Sequence, residues 1–425
     1  MYRNGVIAMN TTNFSVKKTA LLAVFTAVSL TACSSIGPAA TEDAAGSAAA
    51  SAAASPGPAS GTAAPASTAP APSVKPDQIQ TRLTDFQLIS DAAGFAWGET
   101  NGSLRLYRID DGGRNWTLLS PWDDTFKSGA PTAGGSLYFL DAQHGWTAAT
   151  DDGRKTVTAF TTDGGRSWTR GTLDKATYAA GLSFADPLHG WMLTSSDAAM
   201  GKSEKTLYAT DNGGKDWKPL TSVSLDKPVP GALPLSGHAS GMTFKDAASG
   251  WIALAGHEEK PVLYRTRDGG KTWNNVPMKI PQELNDSSVT LDGAPVFFKD
   301  EPDKGWIPVR TVSANTDSRE AYVTKDGGQT WSFKQTGMQN ALTFADSLHG
   351  WGFKDNVLHA TSDGGATWNP VPSDPVLTDT LKNNPNVIRL EFADPQTGWL
   401  LLGSEDGKKS KLLKTTDAGK HWMLL

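Results

Sequence analysis

The polar and apolar residues of this chain alternate in short runs that turns interrupt. Leu104 and Leu106 show this two-residue period near one end of the chain, and Ile388, Leu390 and Phe392 show it near the other. A period of two is typical of a strand with one buried face, whereas no long segment shows the 3.6-residue period of a helix. The pattern therefore predicts an all-β fold built from many short strands.

One turn sequence, which we call the Asp box, occurs seven times. It has an Asp or Asn, then Gly-Gly or Ala-Gly, and a Trp five residues after the acidic position. A Thr stands two residues before it in six copies, and Ile109 takes that place in the first. Asp and Asn side chains bind nearby backbone amides and glycine tolerates positive φ, so each box predicts a tight turn between strands. The boxes begin at Asp111, Asp163, Asn212, Asp268, Asp326, Asp363 and Asp417.

A second motif, the Gly-Trp corner, precedes each box. An apolar residue is followed two positions later by Asp and then by Gly-Trp. The first copy is degenerate, with Ile89 as the apolar residue, Gly94-Phe95 in place of Gly-Trp, and Trp97 two positions further on. The other six run from Phe139 to Trp146, Phe184 to Trp191, Phe244 to Trp251, Phe298 to Trp306, Phe344 to Trp351 and Phe392 to Trp399.

Seven repeats of about 50 residues predict a seven-bladed β-propeller of four-stranded antiparallel blades across residues 78–425. The first strand of a blade ends at the corner, the third ends at the Thr before the box, and the fourth follows the turn. The last repeat supplies all four strands of its blade, so closure needs no strand from the amino end, although Ile79–Leu83 could add one. Because strand directions alternate, corners and boxes share one face, and the variable loops form the expected binding face opposite.

The boxes resemble the Asp boxes, or bacterial neuraminidase repeats, of sialidases and their relatives. Their sevenfold combination with Gly-Trp corners is similar to the photosystem II stability and assembly factor family of seven-bladed propellers. This resemblance covers nearly all of residues 86–425 and implies that the box residues are structural and that the protein is a scaffold, not an enzyme. The Phe-Arg-Ile-Pro stretch that a sialidase would carry is absent. A glycan-binding or glycan-hydrolysing enzyme of the sialidase-like superfamily is the alternative, because spacing along the chain does not reveal a pair of catalytic carboxylates.

Residues 1–32 are a predicted lipoprotein signal peptide. They carry three basic residues and no acid, and their apolar run from Ala20 to Leu30 is too short to cross a bilayer. The stretch from Leu30 to Cys33 resembles the lipobox of bacterial lipoproteins, which implies a lipidated Cys33; a plain signal peptide with an incidental cysteine is the alternative. Residues 33–77 are rich in Ala, Pro and Ser and predict a disordered tether. The expected location is extracytoplasmic, anchored to a membrane at the cell surface or in the periplasm.

Composition narrows the chemistry further. Cys33 is the only cysteine, so an intramolecular disulfide and a thiolate metal cluster are excluded. Removal of the signal peptide leaves 36 of the 39 basic residues against 44 acidic ones, a formal charge of −8, which disfavours nucleic-acid binding. His144, His189 and His349 occupy the same turn in three repeats and are expected to lie too far apart to share a metal. The sequence predicts a monomer without metal or cofactor.

Trp122, the one tryptophan outside the repeats, is the candidate binding residue together with Phe126. Both lie in a loop between the first two blades on the variable face, and Trp is enriched at the centres of protein interfaces. Packing over the first blade interface is the alternative role. The predicted partner is an envelope protein or a glycan, in addition to the membrane that lipidated Cys33 would hold.

Overall fold

The computed structural model describes residues 73–74, 79, 81–100, 103–119, 135–151, 155–173, 178–196, 202–224, 229–255 and 260–425. All of them belong to one compact unit, Ala63–Leu425. The signal peptide, Cys33 and the loop aromatics Trp122 and Phe126 lie outside the described residues. Within the described part, no helix combines the length and the apolarity that crossing a membrane requires.

Seven small antiparallel sheets form a ring, which confirms the predicted seven-bladed β-propeller. Blade 1 contains β1 (Ser73–Val74), β2 (Arg82–Leu88), β3 (Gly94–Thr100), β4 (Ser103–Ile109) and β5 (Trp116–Leu119). Blade 2 contains β6 (Leu137–Phe139), β7 (Gly145–Asp151), β8 (Lys155–Thr161) and β9 (Thr169–Leu173). Blade 3 contains β10 (Tyr178–Phe184), β11 (Gly190–Ser195), β12 (Lys205–Thr210) and β13 (Lys218–Val223). Blade 4 contains β14 (His238–Phe244), β15 (Gly250–Ala255), β16 (Pro261–Thr266) and β17 (Asn274–Val276).

The remaining blades follow the same order. Blade 5 is preceded by a 3₁₀ turn at Gln282–Leu284 and contains β18 (Ser288–Leu291), β19 (Val296–Phe297), β20 (Gly305–Val312), β21 (Asp317–Thr324) and β22 (Ser332–Met338). Blade 6 contains β23 (Leu342–Phe344), β24 (Gly350–Lys354), β25 (Val357–Thr361) and β26 (Asn369–Pro370). Helix α1 (Pro375–Asn383) then leads into blade 7, with β27 (Asn386–Phe392), β28 (Gly398–Gly403), β29 (Ser410–Thr415) and β30 (Met423–Leu424).

Two strands at the edges of the pattern differ from the prediction. The additional strand forms at Ser73–Val74 and pairs with β5 on the outer edge of blade 1, whereas Arg82 and Leu83 belong to the innermost strand of that blade. In blade 5 the innermost strand is divided into β18 and β19, which both pair with β20. Blade 7 draws all four of its strands from the carboxyl end, as its repeat requires.

Helix α1 lies in a connection that the sequence pattern had left without secondary structure. Asp374 caps it by accepting the Leu377 N–H at 2.9 Å, and Pro375 occupies the first turn, where its missing N–H costs nothing. Leu377 and Leu381, one helical turn apart, are buried against the core of blades 6 and 7. The helix is only nine residues long, so its 3.6-residue periodicity covers too few turns to be recognised in the sequence.

The glycine of each Gly-Trp corner is required by the ring directly across the strand pair. Gly190 pairs with Phe184, and a Cβ placed on Gly190 would lie 2.2 Å from Cε1 of that ring. Equivalent clashes of 2.4–2.6 Å occur in four other blades, at Gly145, Gly250, Gly350 and Gly398. The corner glycine therefore makes room for a phenylalanine of its own blade, and positive φ has no part in it.

The tryptophan of the corner joins each blade to the next. Trp146 stacks on Phe184 of the following blade with ring centroids 3.5 Å apart, and Trp191 stacks on Phe244 at 3.8 Å. Each phenylalanine also meets the box Trp of its own blade edge-on, as Phe184 meets Trp217 at 5.9 Å and 83°. The same ring thus receives one aromatic face from the preceding blade and one aromatic edge from its own blade, an arrangement that contributes beyond the area it buries.

A hydrogen bond reinforces these stacked contacts. The indole N–H of Trp146 donates to the Gly213 carbonyl in the box of the next blade at 2.8 Å, and Trp191 donates to Gly269 at 2.8 Å. Trp251 and Trp351 make the corresponding bonds at 3.1 and 3.0 Å. The boxes of blades 3, 4, 5 and 7 therefore each connect two strands of their own blade and also accept a hydrogen bond from the tryptophan of the preceding blade.

Two corners were assigned to the wrong apolar residue. In blade 5 it is Phe297, not Phe298, that pairs with Gly305 and receives the tryptophan of blade 4. In blade 1 Leu88, not Ile89, pairs with Gly94. Sequence spacing misplaced both because the blade 5 turn is longer than the others and because Leu88 replaces the corner phenylalanine in blade 1.

We expect Gly190→Ala to destabilise the propeller by about 1–3 kcal/mol, because its methyl group would enter the Phe184 ring while Trp146 holds that ring in place. The matched control is Gly171→Ala in β9, where the new Cβ would meet only Thr158 Oγ1 at 3.0 Å and should change stability by less than about 0.5 kcal/mol. Urea unfolding curves of the two variants measure the difference. Equal midpoints would contradict the steric role of the corner glycine.

Candidate functional site

The innermost strands surround an axial cavity of about 720 Å³. They lie there because first strands of neighbouring blades contact one another around the axis. Much of the wall consists of small residues, among them Ala239, Ser240, Gly241, Ala294 and Thr343. The volume lies in the range of ordinary ligand sites.

A recurrent β-bulge shapes this wall. The inner strands of blades 1, 3, 4 and 7 each skip one residue four positions before the corner. The skipped residues are Thr84, Ala180, Ser240 and Ile388. Bulges redirect the side chain that follows them, and in blades 1 and 7 those following residues are the charged Asp85 and Arg389.

Arg389, Asp85 and Glu391 form an ionic cluster beside the cavity. Arg389 Nη1 lies 3.2 Å from Asp85 Oδ1, and its Nη2 lies 2.9 Å from Glu391 Oε2. The guanidinium also lies 5.5 Å from the ring centre of Phe86. The side chains are 33%, 14% and 24% exposed for Arg389, Asp85 and Glu391. One cation therefore joins two carboxylates across the contact between blades 7 and 1.

The environment keeps the cluster electrostatically coupled. Burial raises the pKa of Glu391, the charge of Asp85 acts in the same direction, and Arg389 opposes both. Burial would lower the pKa of Arg389, but Glu391 and Asp85 outweigh it and raise that pKa. Asp85 Oδ1 also accepts the Phe86 N–H at 2.8 Å, and Glu391 accepts the Leu88 N–H. Both carboxylates therefore take part in the contacts that hold blade 7 against blade 1.

A second ionic group lies on the blade 5 side of the cavity. Burial raises the pKa of Asp292, while Arg319 opposes it with Nε 3.8 Å from Asp292 Oδ2. Asp317 binds Arg310 through two hydrogen bonds of 3.0 and 2.6 Å and Arg319 through one of 2.7 Å. Two arginines and two aspartates therefore compensate one another at this wall.

The Asp boxes are satisfied within their own turns. In the fourth box, Asp268 Oδ1 accepts the Thr272 N–H at 2.9 Å and the Thr266 hydroxyl at 2.7 Å, and Oδ2 accepts the Thr272 hydroxyl at 2.6 Å. Burial alone would raise the pKa of Asp268, but these hydrogen bonds outweigh it and hold the pKa at about 2. Gly269 adopts φ 73°, as the turn requires.

The other boxes repeat this arrangement with small changes. Asp163, Asp326 and Asp363 each bind the hydroxyl of the Thr two residues earlier and that of a Ser or Thr four residues later. Asn212 donates to Asp216, Asp111 binds Asn115, and Asp417 binds His421. In all seven blades the residue immediately after the box Asp or Asn donates its backbone N–H to a carbonyl of the corner turn. Boxes and corners therefore share one face of the ring.

The three corner histidines pair with carboxylates in their own turns. Nδ1 lies 2.9 Å from Asp141 in the His144 turn, and 2.8 Å from the corresponding aspartates at His189 and His349. Among the described residues, no group of three or more His, Cys, Asp and Glu side chains is arranged to hold a metal ion. Each of these histidines therefore binds an aspartate of its own turn.

Sequence reasoning and structure select different residues. Cys33, Trp122 and Phe126 lie outside the described residues, so their roles stay predictions. The Arg389 cluster was not found, because its members are about 300 residues apart and meet only when blade 7 closes on blade 1. The available signal was a charged residue three positions before the corner in the first and last repeats alone.

Comparison with known proteins agrees with this architecture. The family model described as BNR/Asp-box repeat matches residues 322–333, which include the fifth box. No curated protein matches the chain significantly by sequence. YCF48 from Cyanidioschyzon merolae is similar in structure, with a TM-score of 0.51 and 18% identity over 80% of this chain and 96% of that one. YCF48 bound to D1 peptide gives a TM-score of 0.48 and 16% identity over 82% of this chain and 96% of that one.

The similar structures also include an enzyme. Oligogalacturonate lyase from Vibrio parahaemolyticus has a TM-score of 0.51 and 10% identity over 82% of this chain and 98% of that one. At such low identity the likeness shows a common fold alone. The fold is therefore found both in YCF48 and in an oligogalacturonate lyase.

We expect Arg389→Met to destabilise the protein by about 1–3 kcal/mol near neutral pH, because Asp85 and Glu391 would lose their shared cation. Mutual repulsion would raise the carboxyl pKa values of the folded variant above their unfolded values. Stability held by a protonated carboxyl is lost as pH rises through that raised pKa, so the cost should be smaller at about pH 5 than at about pH 8.

Urea unfolding of Arg389→Met and the wild-type protein at both pH values measures this cost. Arg310→Met is the control, since Asp317 keeps Arg319 as a partner and the site is more exposed. A cost for Arg389→Met that is the same at both pH values would contradict the coupling of the two carboxylates.

Proposed function

We propose that this chain is a lipid-anchored, extracytoplasmic propeller that binds an envelope protein as a scaffold or assembly factor. The observation that carries the proposal is the state of the axial carboxylates. Asp85 and Glu391 share the guanidinium of Arg389 and accept backbone N–H groups. The cavity therefore offers a shaped surface with fixed charges, in which Asp85 and Glu391 are both engaged by hydrogen bonds.

Glycoside hydrolysis needs a different arrangement. One carboxyl group must give a proton to the leaving oxygen while a second acts on the opposite side of the sugar. Arg389 lies between the two carboxylates, in the space that the sugar would need. The similarity to YCF48 is consistent with a binding role, and the resemblance of the repeats to assembly factors points the same way.

A glycan-binding or glycan-cleaving function is the second candidate. The axial cavity of about 720 Å³ is large enough for a short oligosaccharide, and an oligogalacturonate lyase shares the fold. Arg389 and Lys299 at the cavity would serve to bind an acidic sugar. This candidate requires that the Arg389 cluster rearranges when sugar enters.

The membrane anchor is proposed from the sequence. The stretch from Leu30 to Cys33 is similar to a lipobox, and two acyl chains on a lipidated Cys33 would hold the protein stably on a membrane. Residues 33–77, which are rich in Ala, Pro and Ser, would act as the tether of the propeller. The partner is therefore expected close to the same membrane.

We expect Cys33→Ala to release the full chain from membranes, because the lipid would have no sulfur to attach to. Membrane and soluble fractions, together with the mass of the amino-terminal peptide, measure the outcome. Ser34→Ala is the control and should stay in the membrane fraction with the lipid mass. Retention of Cys33→Ala in membranes would contradict the anchor.

We expect Val296→Trp to weaken capture of a protein partner by at least about tenfold with an unchanged melting temperature, because Val296 lines the axial cavity and is 45% exposed. Val357→Trp is the matched control, since Val357 is 43% exposed on β25 and does not line that cavity. Cross-linking of the lipidated chain in cells, followed by quantitative mass spectrometry, measures capture.

Oligosaccharide release from polyuronate by the wild-type protein, abolished by Glu391→Gln, would favour the glycan candidate instead.

A further inference from the structure

The contact between blades 5 and 6, which we call seam 5/6, departs from the pattern of the other seams. At the seams after blades 2, 3 and 6 the tryptophan and phenylalanine rings stack within 3.5–3.8 Å. At seam 5/6 Trp306 meets Phe344 edge-on at 5.3 Å and 64°. The Trp306 indole N–H, which should donate to the next box, has no partner among the described residues.

The irregularity has a local cause in the blade 5 corner. Eight positions separate Phe297 from Gly305, whereas six separate Phe244 from Gly250. The longer turn places Phe298, which is only 8% exposed, in the same cluster as Trp306 and Phe344. An additional aromatic ring thus lies where two rings stack elsewhere.

The outer strand of blade 5 also lacks the apolar residue that closes other seams. The third residue after the box Trp lies against the box of the next blade: a Cβ on Gly165 would be 2.8 Å from Leu119, and one on Gly270 would be 3.3 Å from Leu220. In blade 5 that residue is Lys334, whose Cε would lie 3.5 Å from a Cβ on Gly365. A lysine keeps its ammonium in water, so it cannot seal the gap as leucine does.

Seam 5/6 consequently contains a cavity of about 660 Å³. Phe298, Phe333 and Leu348 are among the apolar residues that line it, and Leu348 is 51% exposed. Lys325 and Lys334 also line it, and neither forms an ion pair among the described residues. The carboxylates at the same cavity are already used: Asp326, Asp346 and Asp363 accept hydrogen bonds inside their own turns.

The closing seam between blades 7 and 1 shows what such an opening can hold. There too the corner indole, Trp399, has no partner among the described residues, and a cavity of about 650 Å³ is present. The chain's own Ile79, Thr81 and Leu83 line that cavity, and Ile79 packs against the core cluster of blades 7 and 1. The opening at this seam is thus in contact with aliphatic side chains of the chain itself, Ile79 and Leu83.

We propose that seam 5/6 binds an extended peptide segment of a protein partner, with an aliphatic side chain in the cavity and an acidic residue beside it. The aliphatic side chain would pack on Phe298 and Leu348, and the acidic residue would meet Lys334. This inference deepens the proposed scaffold function and rests on it.

The test uses a fluorescein-labelled peptide, acetyl-Asp-Ile-Thr-Leu-Asp-amide, and fluorescence anisotropy with the full chain. We expect binding with a Kd below about 1 mM and at least about fivefold weaker binding when Lys replaces both Asp residues. Lys334→Leu should weaken binding at least about tenfold and raise the melting temperature, because leucine would seal the seam as in blades 1 and 3. Lys218→Leu, on an exposed lysine of blade 3, is the matched control and should bind like the wild-type protein.

Three outcomes would overturn the inference. They are no binding of the peptide by the wild-type protein, equal binding by Lys334→Leu, and a dimer that Lys334→Leu converts to a monomer in sedimentation, which would make a second copy the occupant. Capture of a partner that fails in Val296→Trp but survives in Lys334→Leu would refute this seam and leave the scaffold function intact. Loss of capture in neither variant would count against both.

Discussion

Stacking between the corner tryptophan of one blade and the phenylalanine of the next is the interaction on which this ring depends. It places a large flat contact at the seams after blades 2, 3 and 6, and the glycine before the tryptophan leaves room for the phenylalanine ring. Because Phe184 also receives the edge of Trp217, a single side chain fixes both the packing within its blade and the packing between blades. The packing of these aromatic rings between neighbouring blades, repeated around the axis, holds the propeller together.

This use of the repeats leaves little chemistry in them. The box aspartates bind backbone amides and hydroxyl groups of their own turns, and the corner histidines pair with adjacent aspartates. Hydrogen bonds within the turn lower the carboxyl pKa of five box aspartates, Asp163, Asp268, Asp326, Asp363 and Asp417. A lowered pKa at these positions therefore marks a structural role. Function is left to the axial wall, the variable loops and the seams that depart from the repeat.

Departures from the repeat are concentrated at blade 5 and at the closure. At the closure, Lys414 donates to the Gly112 carbonyl, the acceptor that a corner tryptophan would otherwise take, and Arg389 joins carboxylates of both blades. The ring is thus closed by ionic contacts where the aromatic contact is weakest, since Trp399 and Phe86 lie 6.1 Å apart. At blade 5 no such substitute forms, and an unfilled cavity remains between the blades.

The sequence alone determined the blade number, the strand order within a blade and the roles of box and corner. These features depend on turns whose interacting residues lie within a few positions of one another in each repeat. It misplaced the corners at Phe298 and Ile89, where a longer turn and a missing aromatic changed the spacing. It did not predict the Arg389 cluster or the opening beside Lys334. Those depend on contacts between residues distant along the chain, and only closure of the ring decides which charges meet and which seams stay open.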